Sequence, residues 1–294
     1  MQVPHPRRTT PLLSVASAAL PGWDVDQVVE GLAAVDVHAL EVSVGSSGLI
    51  GIGRPEGARS LGHRLRDGGI RVWGVDATIE LTFLSAEAPS VLAAASALDA
   101  GFVRFFAPEY DRRRSFSEQV AAAAGTLAGL VATGQGLTPQ VSVLVEIAPG
   151  TIAPSPELAC RLLDASGPET GRDPPAGVVF DPGSMVAEGY LQPELAVALL
   201  GQRLHHVHVK NRLIARVGGE WSAVSRTLAD GLVDWPRTIT ALWAAGYRGA
   251  YTLDHLSGPT TIRSLGADVA ELRVLLATYP RDEMDPLSEG ATRP

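Results

Sequence analysis

The chain has 294 residues, 46% of them hydrophobic, and carries a net charge of −8 with a pI near 5.4. That length allows one large domain or two ordinary ones, and the acidic balance argues against nucleic acid as a main partner, because phosphate binding needs a basic face. The single cysteine, Cys160, excludes an intramolecular disulfide and any multi-cysteine zinc or iron–sulfur site.

Arg7-Arg8 followed by the apolar run Leu12 to Leu20 imitates a short signal peptide. It reads better as a first strand, Leu12–Ala16, which the strand count below requires. A helix over 25–34 follows, capped by Asp24. The second strand is Ala39–Val44, with a helix over 56–68 that stops at Gly68-Gly69. Arg71–Ala77 and a helix over 87–99 come next, then Phe102–Phe106 and a helix over 116–133. Ser115 or Ser117 caps that helix, Glu118 completes a capping box with Ser115, and Gly134 marks its end. Arg112-Arg113-Arg114, just upstream, reads as a solvated loop. The fifth strand, Val141–Ile147, leads to a helix over 156–166 in which Cys160 is a small core residue. Gly177–Phe180 and a helix over 192–201 follow. Leu204–Val209 is the seventh strand. The segment 212–234 is long for a barrel loop and is expected to cover the site. Asp234 with Trp235-Pro236 opens a helix over 235–245. Ala250–Leu253 and a helix over 264–277 close the pattern, and residues 280–294 read as a polar tail.

Eight strand–helix units imply a parallel sheet closed as a single (β/α)8 TIM barrel over residues 1–279. An open doubly wound sheet is the weaker alternative, since Ser17-Ala18-Ala19-Leu20-Pro21-Gly22-Trp23 carries no G-x-G-x-x-G fingerprint. No apolar run approaches the ~20 residues needed to span a bilayer, and the cytoplasm is the default compartment.

In such a barrel the chemistry sits at the carboxyl ends of the strands. Strand five ends with Glu146, strand six with Asp181-Pro182-Gly183-Ser184, strand seven with His206-Val207-His208-Val209-Lys210, and strand eight with Asp254-His255. Each acid or imidazole follows an apolar run, where an isolated charge is costly unless paired or metal-bound. Three carboxylates and one imidazole suit a divalent ion such as Mn2+, Mg2+ or Co2+, with Zn2+ and Fe2+ as alternatives. Asp181 alone also fits a helix cap. His206 and His208 share one face of the strand, so spacing leaves the ligand between them open. Lys210 is the single lysine among 24 basic side chains. A chain that otherwise uses arginine keeps lysine where the longer, planar guanidinium does not fit.

Glu146, the Asp181-Pro182-Gly183 turn, His206-Val207-His208-Val209-Lys210-Asn211 and an acid on strand eight together resemble the xylose isomerase-like TIM-barrel superfamily. That superfamily includes sugar-phosphate isomerases and epimerases, inosose dehydratases and tagatose-type epimerases. Gly231-Leu232-Val233-Asp234-Trp235 and Gly246-Tyr247-Arg248-Gly249 also resemble its approach to strand eight. The resemblance implies one divalent metal, Mn2+ first, held by Glu146, Asp181, His208 and Asp254. Three positions depart from the pattern. Asp254 stands where Glu is usual and is one methylene shorter. Ser184 stands where His or Asn is frequent, and Asn211 where Asp is.

The resemblance further implies isomerisation or epimerisation of a sugar or polyol-type ketone through an enediolate. Glu146 and Asp254 exchange protons, and Lys210 contacts a substrate oxygen. His206, Arg104, Asp76, Glu41 and Ser184 are candidate substrate contacts. Trp73 and Trp221 are candidates to stack on a sugar face, with core packing the bland alternative for Trp73. A lyase on the same site, either an inosose dehydratase or a C-glycoside-cleaving enzyme, is the alternative, as is a partner-dependent barrel subunit. A DNA-repair endonuclease of the same superfamily needs more His and acid ligands and a basic face. The expected partner is a small sugar or polyol. A phosphate on it stays open, with Gly45-Ser46-Ser47-Gly48 and Arg112 to Arg114 as candidate binders. A homo-oligomer is also left open.

Overall fold

Eight apolar, largely β-branched runs pair edge to edge and close on themselves. The computed structural model describes residues 11–45, 49, 55–80, 87–167, 176–189 and 192–277. Residues 46–48 of the Gly/Ser loop, Arg7-Arg8 and the expected tail 280–294 lie outside the described residues. The barrel strands are β1 (Leu13–Ala16), β2 (Ala39–Val44), β3 (Arg71–Glu80), β4 (Phe102–Phe106), β5 (Ser142–Glu146), β6 (Ala176–Phe180), β7 (Leu204–Val209) and β10 (Tyr251–Leu253). They form one closed parallel sheet in the order β1-β10-β7-β6-β5-β4-β3-β2. The expected (β/α)8 TIM barrel is therefore what the chain forms.

The surrounding helices are α1 (Val25–Ala34), α2 (Pro55–Asp67), α3 (Ala88–Ala97), α4 (Phe116–Gln135), α5 (Pro156–Ser166), a single turn α6 (Pro182–Met185), α7 (Pro193–Leu200), α8 (Trp235–Ala244) and α9 (Ile262–Ala277). Their starts follow side-chain chemistry. Asp24 with Gln27, and Ser115 with Glu118, form reciprocal capping boxes, so Ser115 rather than Ser117 caps α4. Gly134 does not end α4 but lies inside it. A Cβ there would stand 2.2 Å from the Val141 carbonyl oxygen, so glycine lets the helix approach the entry to β5.

Alternation along each strand sends one set of side chains outward against the helices and the other into the barrel. Outward residues such as Val15, Leu40, Val75, Phe105, Val145, Val178 and Val207 belong to the main core. Inside, Phe102, Leu144 and Val179 cluster with Trp73 against them, and the Phe102 ring fills the space beside Gly74. Trp73 therefore packs in the barrel interior, the bland alternative considered for it.

The segment expected as a covering loop is instead a hairpin, β8 (Asn211–Val217) with β9 (Glu220–Arg226), paired antiparallel in full register. Its turn is Gly218-Gly219, both with positive φ, as tight primed hairpin turns require. Trp221, proposed for sugar stacking, is 71% exposed, and its ring lies 5.8 Å from the Arg216 guanidinium carbon on the same hairpin.

Asn211 closes the base of this hairpin. Its Nδ2 donates to the carbonyl oxygens of Leu228 at 2.7 Å and Val233 at 2.9 Å. Its Oδ1 accepts from the backbone N–H groups of Arg212 and Val233. An aspartate can accept but cannot donate to two carbonyls, which is the physical reason for amide at this position. Asn211→Asp is expected to lower stability by about 2–4 kcal/mol, the cost of leaving two buried acceptors facing a charge. Urea denaturation checks this, and a change under about 0.5 kcal/mol contradicts the role.

Candidate functional site

The inward set of side chains turns from apolar to charged towards the carboxyl ends of the strands. Every second residue supplies it: Glu41 and Ser43 on β2, Asp76 on β3, Arg104 on β4, Glu146 ending β5, Asp181 just after β6, His206 and His208 on β7, Lys210 just after β7, and Asp254 just after β10. All ten sequence-predicted site residues, Ser184 included, fall into one connected network.

Three pairings organise it. Arg104 bridges two strands, with Nη2 at 2.8 Å from Asp76 Oδ1 and Nε at 2.8 Å from Glu146 Oε2. Glu41 Oε2 lies 3.1 Å from both His206 Nε2 and His208 Nε2. Lys210 Nζ sits 2.6 Å from Asp181 Oδ2 and 2.5 Å from Asp254 Oδ2. His208 joins the groups, its Nδ1 being 3.6 Å from Glu146 Oε2 and 3.7 Å from Asp254 Oδ1. Ser184 serves Asp181, donating its backbone N–H to Oδ1 and its hydroxyl to Oδ2, each at 2.9 Å. Asp181 is thus at once the cap of α6 and a member of the site.

The sequence marks Glu41, Asp76 and Arg104 as candidate substrate contacts, but their ionic partners inside the barrel were not foreseen. Ser43 was missed. Its hydroxyl donates to Asp76 Oδ2 at 3.3 Å, and its N–H donates to Ser17 Oγ at 2.8 Å. Its signal was available, since it lies two residues after Glu41 on the same strand face. Arg113, one of the candidate phosphate clamps, is spent on its own loop, pairing with Asp111 at 2.9 Å.

The electrostatics follow from numbers of charges. Glu41, Asp76, Glu146, Asp181 and Asp254 outnumber the permanent cations Arg104 and Lys210, and almost no water reaches them. Burial pushes the Asp76 carboxyl up to about 7, with the Arg104 guanidinium opposing and the other carboxylates reinforcing. Burial also raises Asp181 despite Lys210. Burial would raise Glu146 too, but Arg104 and His208 hold it at about 2. Asp254 is held well below the carboxylate range by Lys210 and His208, against burial. His208 moves well above the imidazole range, because Glu41, Asp254 and Glu146 outweigh its burial.

Glu41 can only accept, so it fixes the Nε2 edge of both histidines as donors and turns the Nδ1 edge of His208 towards Glu146 and Asp254. A carboxylate behind an imidazole is the usual support of a metal-binding histidine. One ligand atom each from Glu146, Asp181 and His208 lies within 4.8 Å of the others, and all three residues are buried. Among the described residues His208 Nδ1 makes no hydrogen bond, its nearest carboxylate oxygens lying at 3.6 and 3.7 Å, whereas Glu146 Oε2 already meets Arg104. Oxygen donors with one imidazole, in a pocket of excess negative charge, fit a hard or borderline divalent ion. Glu41, His206 and His208 form a second such trio, but there the nitrogens already face the carboxylate. Asp254 belongs to neither trio.

A protein-family model described as xylose isomerase-like TIM barrel matches residues 16–273. No curated protein matches the chain. Among solved structures, a D-tagatose 3-epimerase-like protein aligns with a TM-score of 0.72 at 16% identity, covering 91% of this chain and 97% of that one. The probable 3-DHS dehydratase AsbF from Bacillus anthracis aligns with a TM-score of 0.67 at 14% identity, covering 89% and 98%. The IOLI protein, solved with a zinc atom, aligns with a TM-score of 0.71 at 13% identity, covering 92% and 99%. At these identities the likeness is one of fold.

The raised Asp76 carboxyl has a consequence for stability. Its folded value, about 7, lies above the ordinary 3.8, so the folded form binds the proton more tightly. Its contribution is fully present below about pH 4 and is lost as pH rises through 7, by about 4 kcal/mol at 1.36 kcal/mol per unit. Denaturation of chelator-treated protein between pH 4 and 8 should show this slope, and Asp76→Asn should flatten it. An unchanged slope in the variant contradicts the assignment.

Proposed function

The chain belongs to the xylose isomerase-like TIM barrel family, and on that premise we propose that it is a divalent-metal-dependent isomerase or epimerase of a sugar or polyol-type ketone. The observation that carries this reading is the convergence of Glu146, Asp181 and His208 within 4.8 Å at neighbouring strand ends. These three would hold the ion, with Mn2+ as first choice. When bound, the ion supplies Lewis acidity towards a substrate carbonyl and its neighbouring hydroxyl.

The chain's own residues then divide the proton work. Glu146 is kept ionised by Arg104 and lies on one side of the site, where it accepts the proton from the carbon next to the carbonyl. Asp254 flanks the opposite side on the loop after β10 and completes the exchange that an enediolate route needs. Lys210 has three N–H donors. Two are directed at Asp181 and Asp254, and the third is left for a substrate oxygen on which negative charge develops. Arg104 and Asp76 form the wall beside Glu146, and their mutual pairing keeps its carboxylate aimed inward.

The test uses protein stripped with chelator, reloaded with Mn2+ and incubated in D2O with a panel of ketoses and inososes. The expected result is deuterium entering a product of otherwise conserved composition. Elimination of water would move the reaction to the lyase class. Glu146→Gln is expected to lower turnover by about 10²–10⁴-fold and to reduce metal content. Full turnover and full metal content in that variant would sink the reading.

A further inference from the structure

The sole lysine of the chain is also a tightly held side chain of the site. Lys210 is 7% exposed. Its carbonyl oxygen accepts the Trp235 indole N–H at 3.2 Å. Gly183, in the turn after β6, leaves room for its stem: a Cβ there would stand 2.6 Å from Lys210 Cγ and 2.7 Å from its carbonyl oxygen. From this fixed base the ammonium reaches Asp181 and Asp254 together. Asp181 is a member of the trio with Glu146 and His208, whereas Asp254 is a member of none.

A buried carboxylate oxygen in contact with an ammonium is poorly placed to accept a second cation as well. Asp254 is one methylene shorter than a glutamate, and it meets Lys210 at the end of that reach. We propose that Lys210 is a tethered cation that withdraws Asp254 from the metal's ligand set and competes with the metal for Asp181. The inference rests on the metal reading above. His208 then holds the ion with Glu146, whose Oε2 also meets Arg104 at 2.8 Å; Asp181 is shared, and Asp254 serves Lys210 through Oδ2, with Oδ1 3.7 Å from His208 Nδ1. The ion is bound less tightly than four protein ligands would bind it, and one more of its positions is open to water or substrate.

The experiment is a titration of the full chain with Mn2+, followed by the electron paramagnetic resonance of the free ion. It compares wild type, Lys210→Met, Asp254→Asn and the double variant. Lys210→Met is expected to bind Mn2+ at least about tenfold more tightly, since a unit positive charge beside a divalent ion is removed. Asp254→Asn is expected to weaken binding by no more than about 10–100-fold, as loss of an indirect partner does. Unchanged or weaker binding by Lys210→Met overturns the proposal. So does a loss well beyond about a hundredfold in Asp254→Asn, more than the loss of an indirect partner accounts for.

Lys210→Met leaves two carboxylates without their cation, so its melting temperature in chelator should fall, and Mn2+ should raise it more than it raises that of wild type. If the single variant does not fold, the double variant, which removes one charge of each sign, carries the test. It must then bind Mn2+ more tightly than Asp254→Asn alone, and equal binding overturns the proposal. Failure of the metal reading looks different. In that case no form takes up Mn2+, or Glu146→Gln and His208→Ala bind it as wild type does, and the proposal falls with it.

Discussion

The interior of this barrel buries more negative charge than its own cations neutralise, and the arrangement of the site follows from that constraint. A carboxylate in a low-dielectric interior is tolerated only when paired, hydrogen-bonded or protonated. Each device is present. Arg104 serves Asp76 and Glu146, Lys210 serves Asp181 and Asp254, and two imidazoles serve Glu41. Asp76 shows the residue of the imbalance, since its carboxyl moves towards neutrality although Arg104 touches it. A divalent ion near Glu146, Asp181 and His208 would relieve that same imbalance, so the electrostatic and ligand-geometry arguments agree.

The packing supports the charges rather than competing with them. Apolar side chains at the lower level, Phe102, Leu144 and Val179, give a dry floor, and the His206 ring lies 4.9 Å from that of Phe102. Small residues appear where larger ones would collide with the machinery, as Gly183 does beneath Lys210. Ser184 uses both its N–H and its hydroxyl on one aspartate, which orients Asp181 towards the barrel axis.

Most of the fold was legible because it rests on local signals. Apolar, β-branched runs predicted the strands, caps such as Asp24 and Ser115 predicted helix starts, and strand ends located the charged residues. Partnerships across the barrel were not legible. Glu41 and His208 are 167 positions apart in the chain, and no spacing rule links a residue on β2 to one on β7 before the barrel closes. The same limit applies to Lys210, whose position marked it as functional while its hold on Asp181 and Asp254 depends on how three loops meet. The hairpin was a different kind of miss. Its Gly218-Gly219 turn between alternating runs was visible in the sequence, but the expectation of a covering loop after strand seven took precedence.

The way that hairpin is attached bears on how the family could diversify. Asn211 and the bond from the Leu232 N–H to the Arg212 carbonyl, 2.8 Å long, tie its two ends together directly beside Lys210. A second tie comes from Glu271 on α9, whose carboxylate accepts from the N–H groups of Leu228 and Ala229. With both ends secured to the barrel, the outer part of the hairpin, Trp221 included, behaves as a graft. It can lengthen, shorten or change its surface without transmitting the change to the ammonium below, so the rim of the site is free to vary while the charged layer beneath it is held constant.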